Sequence, residues 1–571
     1  MAANQGKRWQ VAAPITPEAN TALADFSPIM RQILFNRGYA SKASATAFLR
    51  AEANFDTSPF QMTGITPTLD RIRYAIDHHE QIAIYGDYDV DGVTATALLV
   101  TALQAFGANV RGYIPNRFDE GYGLNTEALS NLQSEGVKLV ISVDCGIRSP
   151  EETAHARAIG LDLIISDHHQ PAEGDLPSAY AVINSKQKGD LYPDKDLAGV
   201  GVAYKIIQAY LEKSSKTNLE LRHEDLLDLV ALGTVADLAP LTGENRILVR
   251  KGLQKLRETK RQGIFSLAAV SDLPLSRITA TSIGFILGPR LNAAGRLESA
   301  LAAFELLTTT DVKTAGELAQ QLNVQNRQRQ EITRKIQLEA EGIALKEDPE
   351  ADILIAVHPD FNPGVVGLAA SRLVEIYYRP AVVGQISSEF TRCSCRSIPE
   401  FHITEALDQC KDLLVRHGGH AAAAGFTVRN ENLEPLKLRL KSLSTEALHG
   451  LDLRQTLSAD IDLALSDLKP ELLQQLEYLQ PTGYGNPEAV FVSRNVRLVN
   501  SRTIGADGKH IKLVVADDRV TFDCIGFRLG HLHPGLPTRV DLLYTFELNE
   551  YNGRKSLQLN LKDVKPSGLP D

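Results

Sequence analysis

Three aspartates alternate in YGDYDVDG, at Asp87, Asp89 and Asp91, directly after an apolar run. Asp144 closes ISVDCG, Asp167-His168-His169 close LIISDHH, and Asp237 ends the apolar stretch LLDLVALGTVAD. Each piece alone has an ordinary explanation: an aspartate after a strand caps the next helix, and histidine pairs are usually solvated. At one sheet edge, up to five of these carboxylates and the two imidazoles would repel one another unless a cation sat among them. Oxygen donors with imidazole and without thiolate suit Mn²⁺ or Mg²⁺ better than a structural zinc. The number of carboxylates exceeds what one ion needs, which points to two ions roughly 3.5–4 Å apart. Such pairs hydrolyse phosphoesters by activating water and stabilising the charge on phosphorus.

The elements that must position these residues are legible over 81–243. QIAIY, NVRGYIP, KLVISVD and LDLIISD read as strands, with helices over 93–106, 126–136 and 150–160 between them. This β-α-β-α repetition predicts a parallel sheet covered on both faces. The carboxyl ends of its strands line one edge, where ligand crevices form. The unusual residues all follow strands there, except Asp237, which follows a helix.

The chain of 571 residues exceeds one ordinary core, and three or four domains are expected. The long polar segment 317–345 predicts a helix bridging domains. A second β-α-β pattern starts at ILIAVHP (353–359), predicting a smaller α/β domain. From about 455, short strands separated by turn residues, with a hairpin signal at Asn552-Gly553, predict a small closed barrel of the oligonucleotide-binding kind. The expected divisions are an N-terminal arm and helical segment (1–70), a catalytic domain (71–315), a connecting helix (316–349), a second α/β domain (350–450) and the barrel (451–571).

A formal net charge of −10 argues mildly against nucleic acid, but a basic groove can be local. No apolar segment is long enough for a membrane span, and the N-terminus lacks a secretory pattern. Five cysteines, an odd and sparse set, predict reduced thiols in a cytoplasmic protein. Cys393 and Cys395 have no second cysteine pair to support a zinc site.

DYDVDG (87–92), VDCG (143–146), SDHH (166–169) and GTVAD (233–237) resemble, in order and spacing, the four motifs of the DHH phosphoesterase superfamily. IPNRFDEGYGLN (114–125), GPRLNAAGR (288–296), CRSI (395–398), GGHAAAAGF (418–426) and PTGYGNPEAVF (481–491) make the chain more similar still to one branch, the bacterial single-strand-specific 5′→3′ DNA exonucleases. The resemblance covers roughly residues 30–570. It implies that Asp89, Asp91, Asp144, His168 and Asp237 hold two divalent cations, Mn²⁺ or Mg²⁺, with Asp144 bridging, and that Asp87 is a further ligand or a neighbour of one. His169 would contact the scissile phosphate. Where smaller relatives place a histidine ligand this chain has Tyr85.

Arg117, Arg290, Asn292 and Arg296, with Arg396, Ser397, Gly418, Gly419 and His420 of the second domain, are the implied nucleic-acid contacts. Guanidiniums meet phosphate bidentately, and glycines let a backbone approach closely. Tyr484 and Phe491 are candidates for stacking on bases, with core packing the alternative for Phe491. Two departures fall in the second domain: Cys393 and Cys395 replace usual small residues, and Phe361-Asn362 stands where relatives carry Trp-His. The implied activity is stepwise release of 5′-mononucleotides from single-stranded DNA in repair and recombination. The implied setting is a monomer, working with a helicase and a single-strand-binding protein. The alternatives are a phosphodiesterase for short RNA or cyclic dinucleotides, and a non-catalytic single-strand-binding scaffold.

Overall fold

A computed structural model describes residues 6–51, 57–116, 123–214, 221–551 and 553–569. Two compact units emerge, Val11–Val324 with Ser458–Pro570, and Gln325–Leu457 with the residues up to Gln10. The N-terminal arm is ordered from Arg8 to Val11 as a strand paired with Thr456–Ala459.

The first unit is built on five parallel strands, β1 (Gln81–Gly86), β2 (Asn109–Tyr113), β3 (Val137–Val143), β4 (Asp162–Ser166) and β5 (Ala181–Ile183). Their spatial order is β2-β1-β3-β4-β5, so the winding reverses between β1 and β3. Period-2 alternation sends Ile82 and Ile84 of β1 into one core and Ala83 and Tyr85 into another, so both faces are covered. On the first face lies α1 (Val90–Ala105), apolar on every side and almost wholly buried. It packs against α2 (Gly199–Lys213) and α3 (Leu227–Ala236), also strongly apolar. Farther along come a single π-helical turn, Ile283–Leu287, and α4 (Gly288–Leu297).

Buried Arg246, on the helix Gly243–Arg257, joins this layer to two others. Its guanidinium donates to the carbonyls of Phe48, Tyr478, Leu479 and Pro481 at 2.8–3.2 Å and lies over the Phe48 ring. Four accepting carbonyls replace the hydration a buried charge loses.

The polar helix expected over 317–345 is α5, Val312–Glu347. In the other unit, β6 (Leu354–His358), α6 (Val366–Tyr377), β7 (Ala381–Ile386), β8 (Phe390–Arg396), β9 (Leu414–His420) and β10 (Ala423–Arg429) follow. They form a sheet of order β9-β10-β8-β7-β6, parallel only between β6 and β7. Cys393 and Cys395, two apart on β8, share one face and pack into its core. All five cysteines are buried free thiols.

The C-terminal strands are β11 (Phe491–Ile504), β12 (His510–Ala516), β13 (Thr521–Gly526), β14 (Arg539–Tyr551) and β15 (Arg554–Pro566). They close in the order β11-β12-β13-β15-β14 and back to β11, with only β13–β15 parallel, as in the expected barrel. Closure removes the exposed edges a five-stranded sheet would otherwise present. Phe491 is buried in the barrel core, its packing role, whereas Tyr484 is exposed. β14 and β15 pair up to Tyr551 and Arg554, as the hairpin signal predicts; Asn552 lies outside the described residues.

Candidate metal centre

The chain leaves β1 at Gly86 and enters α1 through Asp87, Tyr88 and Asp89. Asp89 is the N-cap of α1: its Oδ1 accepts the N–H groups of Asp91 (2.9 Å) and Gly92 (3.1 Å). At Gly92 a Cβ would come within 2.5 Å of the Asp87 carbonyl oxygen, so the turn is built around a residue without one. Asp91 faces the start of α2, where its two oxygens accept the N–H groups of Gly199 (2.6 Å) and Val200 (2.8 Å). A carboxylate at a helix N-terminus meets both free donors and the positive end of the dipole.

Asp144 follows β3 in a left-handed conformation, φ 62°. That conformation costs a non-glycine residue about 1–3 kcal/mol and recurs where function dictates geometry. Gly199 leaves room for it, since a Cβ there would lie 2.9 Å from Asp144 Oδ1. After β4, Asp167 is saturated by the protein: Oδ1 accepts from the His168 and His169 N–H groups and lies 2.8 Å from His169 Nδ1, and Oδ2 accepts from Ile147 N–H. Asp167 therefore orients the histidines and is not left to hold an ion.

His168 Nε2 lies 3.1 Å from Asp144 Oδ1, 3.8 Å from Asp237 Oδ2 and 3.9 Å from Asp91 Oδ2. Three sets of donor atoms each gather within 4.8 Å of one another: Asp87, Asp89 and Asp144; Asp91, His168 and Asp237; and Asp144, His168 and His169. Asp144 and His168 are each common to two of them, and of the two only the Asp144 carboxylate has a second oxygen with which to bridge. Every residue of the expected metal set is thus brought together.

The donors fit a pair of hard divalent cations. Among the described residues, Asp144 Oδ1 and His168 Nε2 are buried with no hydrogen-bond partner, a costly state that a cation relieves. Burial, then the charges of Asp237 and Asp89, raises the Asp91 carboxyl well above its ordinary range. Burial and the surrounding aspartates do the same to Asp144. Asp237 is pushed up to about 7 by burial and by Asp89. It stands at the C-cap of α3, where the helix dipole also disfavours negative charge. Burial, with the nearby His169, lowers His168 to about 3 and keeps it a neutral donor. Burial opposes charge on His169 too, but Asp167, Asp237 and Asp91 outweigh it and raise the ring to about 8.

Tyr85 does not stand in for a histidine ligand: its hydroxyl donates to the Gly123 carbonyl at 3.1 Å, on the other face of the sheet. Asp87 is the residue within reach of Asp89 and Asp144.

The expected phosphate contacts separate into groups. Arg117 lies outside the described residues. Arg290 and Asn292 on α4 make contacts within the protein: Arg290 Nε donates to Asn323 Oδ1 (3.1 Å), and Asn292 Oδ1 accepts from Val90 N–H (3.2 Å). Arg296 lies one turn on, in the last turn of α4. The residues of the other unit share one end of its sheet, because Arg396 pairs with Ala423, which pairs with His420. Gly418 and Gly419 lie on the same strand, and Ser397 N–H donates to the Ala422 carbonyl beside them. A Cβ at Gly419 would meet the Ala423 carbonyl oxygen at 2.4 Å. Phe361 is buried and Asn362 Oδ1 accepts from Gly364 N–H, so both residues of that departure serve the local fold. Asp167 as an orienting residue and Asn292 as a backbone acceptor were not read from the sequence.

Family models described as DHH family, N-terminal domain, as DHHA1 domain and as RecJ OB domain match residues 81–234, 350–444 and 459–563. The single-stranded-DNA-specific exonuclease RecJ of Bacillus subtilis (strain 168) is 37% identical over 566 residues, covering 98% of this chain and 71% of that protein. Its namesake from Escherichia coli (strain K12) is 34% identical over 565 residues, covering 95% and 96%. The crystal structure of RecJ in complex with Mn²⁺ from Thermus thermophilus superposes with a TM-score of 0.83 at 29% identity, covering 99% of this chain and 80% of that one. A second crystal structure of the same protein, with Mg²⁺, gives 0.78 at 27% identity, with 99% and 79% covered. The chain belongs to the RecJ family of single-stranded-DNA-specific exonucleases.

Proposed function

We propose that the chain hydrolyses single-stranded DNA from the 5′ end and releases 5′-mononucleotides, using two divalent cations, Mn²⁺ or Mg²⁺. The observation that carries this reading is the convergence of Asp87, Asp89, Asp91, Asp144, His168 and Asp237 around buried, unsatisfied donor atoms at the carboxyl edge of the sheet.

When bound, the cations supply Lewis acidity that activates water and offsets charge developing at phosphorus. Asp144 holds the middle of the site and the other carboxylates with His168 its two sides. Asp89 and Asp91 each hold backbone as well as the site, so their positions are set before any ion arrives. His169, anchored through Nδ1 on Asp167 and raised to about 8, carries a proton near neutrality and presents Nε2 as a donor to a phosphate oxygen. In the other unit, Arg396, Ser397, Gly418, Gly419 and His420 form the phosphate-gripping edge, supported by their adjacency across three strands. Arg290 and Arg296 are the corresponding residues of the first unit, and Arg117 completes the set.

The division at 71–315, 350–450 and 451–571 is supported by the three family-model matches. A role in DNA repair and recombination, a cytoplasmic setting, action as a monomer, and a helicase and single-strand-binding protein as partners rest on the family resemblance. The closed C-terminal barrel favours a polynucleotide over short RNA or cyclic dinucleotides, which have no use for it.

The test is incubation with 5′- and 3′-end-labelled single strands, duplex and matched RNA, in Mn²⁺, Mg²⁺ or chelator. The 5′ label should be released first as a mononucleotide, from single strands only and only with metal. Release of the 3′ label first, or equal attack on blunt duplex, contradicts the proposal.

A further inference from the structure

We infer that Asn292 is a positioning residue for the loop that carries Asp87, Asp89 and Asp91, acting through one backbone N–H. The inference rests on the reading of that loop as one wall of the metal centre.

The first turn of α1 has donors that the helix itself cannot satisfy. Asp89 Oδ1 takes the N–H groups of Asp91 and Gly92, and Val93 N–H donates to the Asp89 carbonyl at 2.9 Å. The remaining donor, Val90 N–H, belongs to a buried residue between Asp89 and Asp91, and it is taken by Asn292 Oδ1 at 3.2 Å. Without that acceptor the turn would bury an unpaired N–H or shift to find another partner.

One turn farther along α4, Gly295 meets the same loop. A Cβ there would approach the Tyr88 carbonyl oxygen to 2.7 Å, so the helix lies in backbone contact with the peptide between Asp87 and Asp89. The helix is itself held: Arg290 Nη1 donates to the Ile286 carbonyl at 2.8 Å, and Nε to Asn323 on α5. The motif PRLNAAGR therefore meets the backbone at Tyr88 and at Val90, the two residues that flank Asp89. The amide oxygen of Asn292 is engaged by the protein, a different use from the nucleic-acid contact the motif implies.

Mn²⁺ uptake by the full-length chain, followed by the electron paramagnetic resonance signal of free Mn²⁺, reads this directly and needs no turnover. Asn292→Leu, similar in size but without an acceptor, should weaken Mn²⁺ binding by about 10-fold or more, the scale of partners one step removed from a metal. Asn292→Ser, a milder change, should act in the same direction, with melting temperatures confirming that both fold.

The decisive variant removes the donor instead. Val90 is the first residue of α1, and Asp89 before it is extended (φ −88°, ψ 179°), a conformation that tolerates a following proline. In a Val90→Pro background the loss caused by Asn292→Leu should largely disappear, because no N–H remains to be satisfied. Should Val90→Pro fail to fold, Asn292→Asp replaces it: the accepting oxygen is kept, and binding should recover relative to the leucine variant. Unchanged Mn²⁺ affinity in Asn292→Leu, an equal loss in both backgrounds, or no recovery with aspartate overturns the inference. If the unaltered chain takes up no Mn²⁺ the metal reading itself fails, which is distinct from a variant that binds as well as the parent.

Discussion

His168 Nε2 lies 3.1 Å from Asp144 Oδ1 at the ends of neighbouring parallel strands, and among the described residues no hydrogen bond holds either atom. A buried carboxylate facing a neutral imidazole without a hydrogen bond is an arrangement folding alone does not favour. A shared cation turns the same arrangement into a pair of ligands, which is why this contact is the core of the metal reading.

Metal uptake should be coupled to proton release. The Asp237 carboxyl keeps its proton up to about 7, and Asp91 and Asp144 are raised as well, with burial the main cause in each. A raised acid must lose its proton before it binds an ion, so affinity should climb as pH rises through about 7, where Asp237 gives up its proton. The slope should be about 10-fold per pH unit for each proton displaced. Calorimetry at pH 6 in two buffers of different ionisation enthalpy counts those protons; an affinity independent of pH across this range sinks the assignment.

Asp167→Asn separates orientation from metal binding. The carboxylate anchors His169 Nδ1 and accepts three backbone N–H groups, so its loss should lower kcat by about 10²-fold or more, on the scale of one lost hydrogen-bond donor to the transition state. Mn²⁺ stoichiometry should stay unchanged. A variant that loses an ion instead would show that Asp167 itself is a ligand.

Leu238, beside Asp237, has φ 60° and is largely exposed. It ends α3 with paired bonds, Leu238 N–H to the Val235 carbonyl and Ala239 N–H to the Thr234 carbonyl, at a position glycine prefers. Relief of strain, less the added freedom of the unfolded glycine, should make Leu238→Gly more stable by about 0.5–1 kcal/mol. Denaturant unfolding of the metal-free protein reads this; a lower midpoint would contradict the helix-end account.

Much of the site was legible because its signals are local. A short apolar run ending in aspartate can be read within a few residues, as at Asp87, Asp144 and Asp167, and chain order then placed them on one sheet edge. What stayed hidden depends on partners far away in sequence. Asp91 spans to the N-terminus of α2, Asn292 to Val90, and Arg246 to four carbonyls of two other segments, and no periodicity reports such pairings. Tyr85 was visible as a departure from relatives, but only its place on the far face of the sheet explains why Asp87 is left beside Asp89 and Asp144.

The most direct test of the two-cation account is Asp144→Ala, since Asp144 belongs to two of the three donor groups. With 5′-labelled single-stranded DNA and Mn²⁺, cleavage should fall by at least about 10²-fold, on the scale of lost transition-state stabilisation. The variant should still bind the strand in a gel-shift measurement. Cleavage near the parent rate by the folded variant would contradict the account.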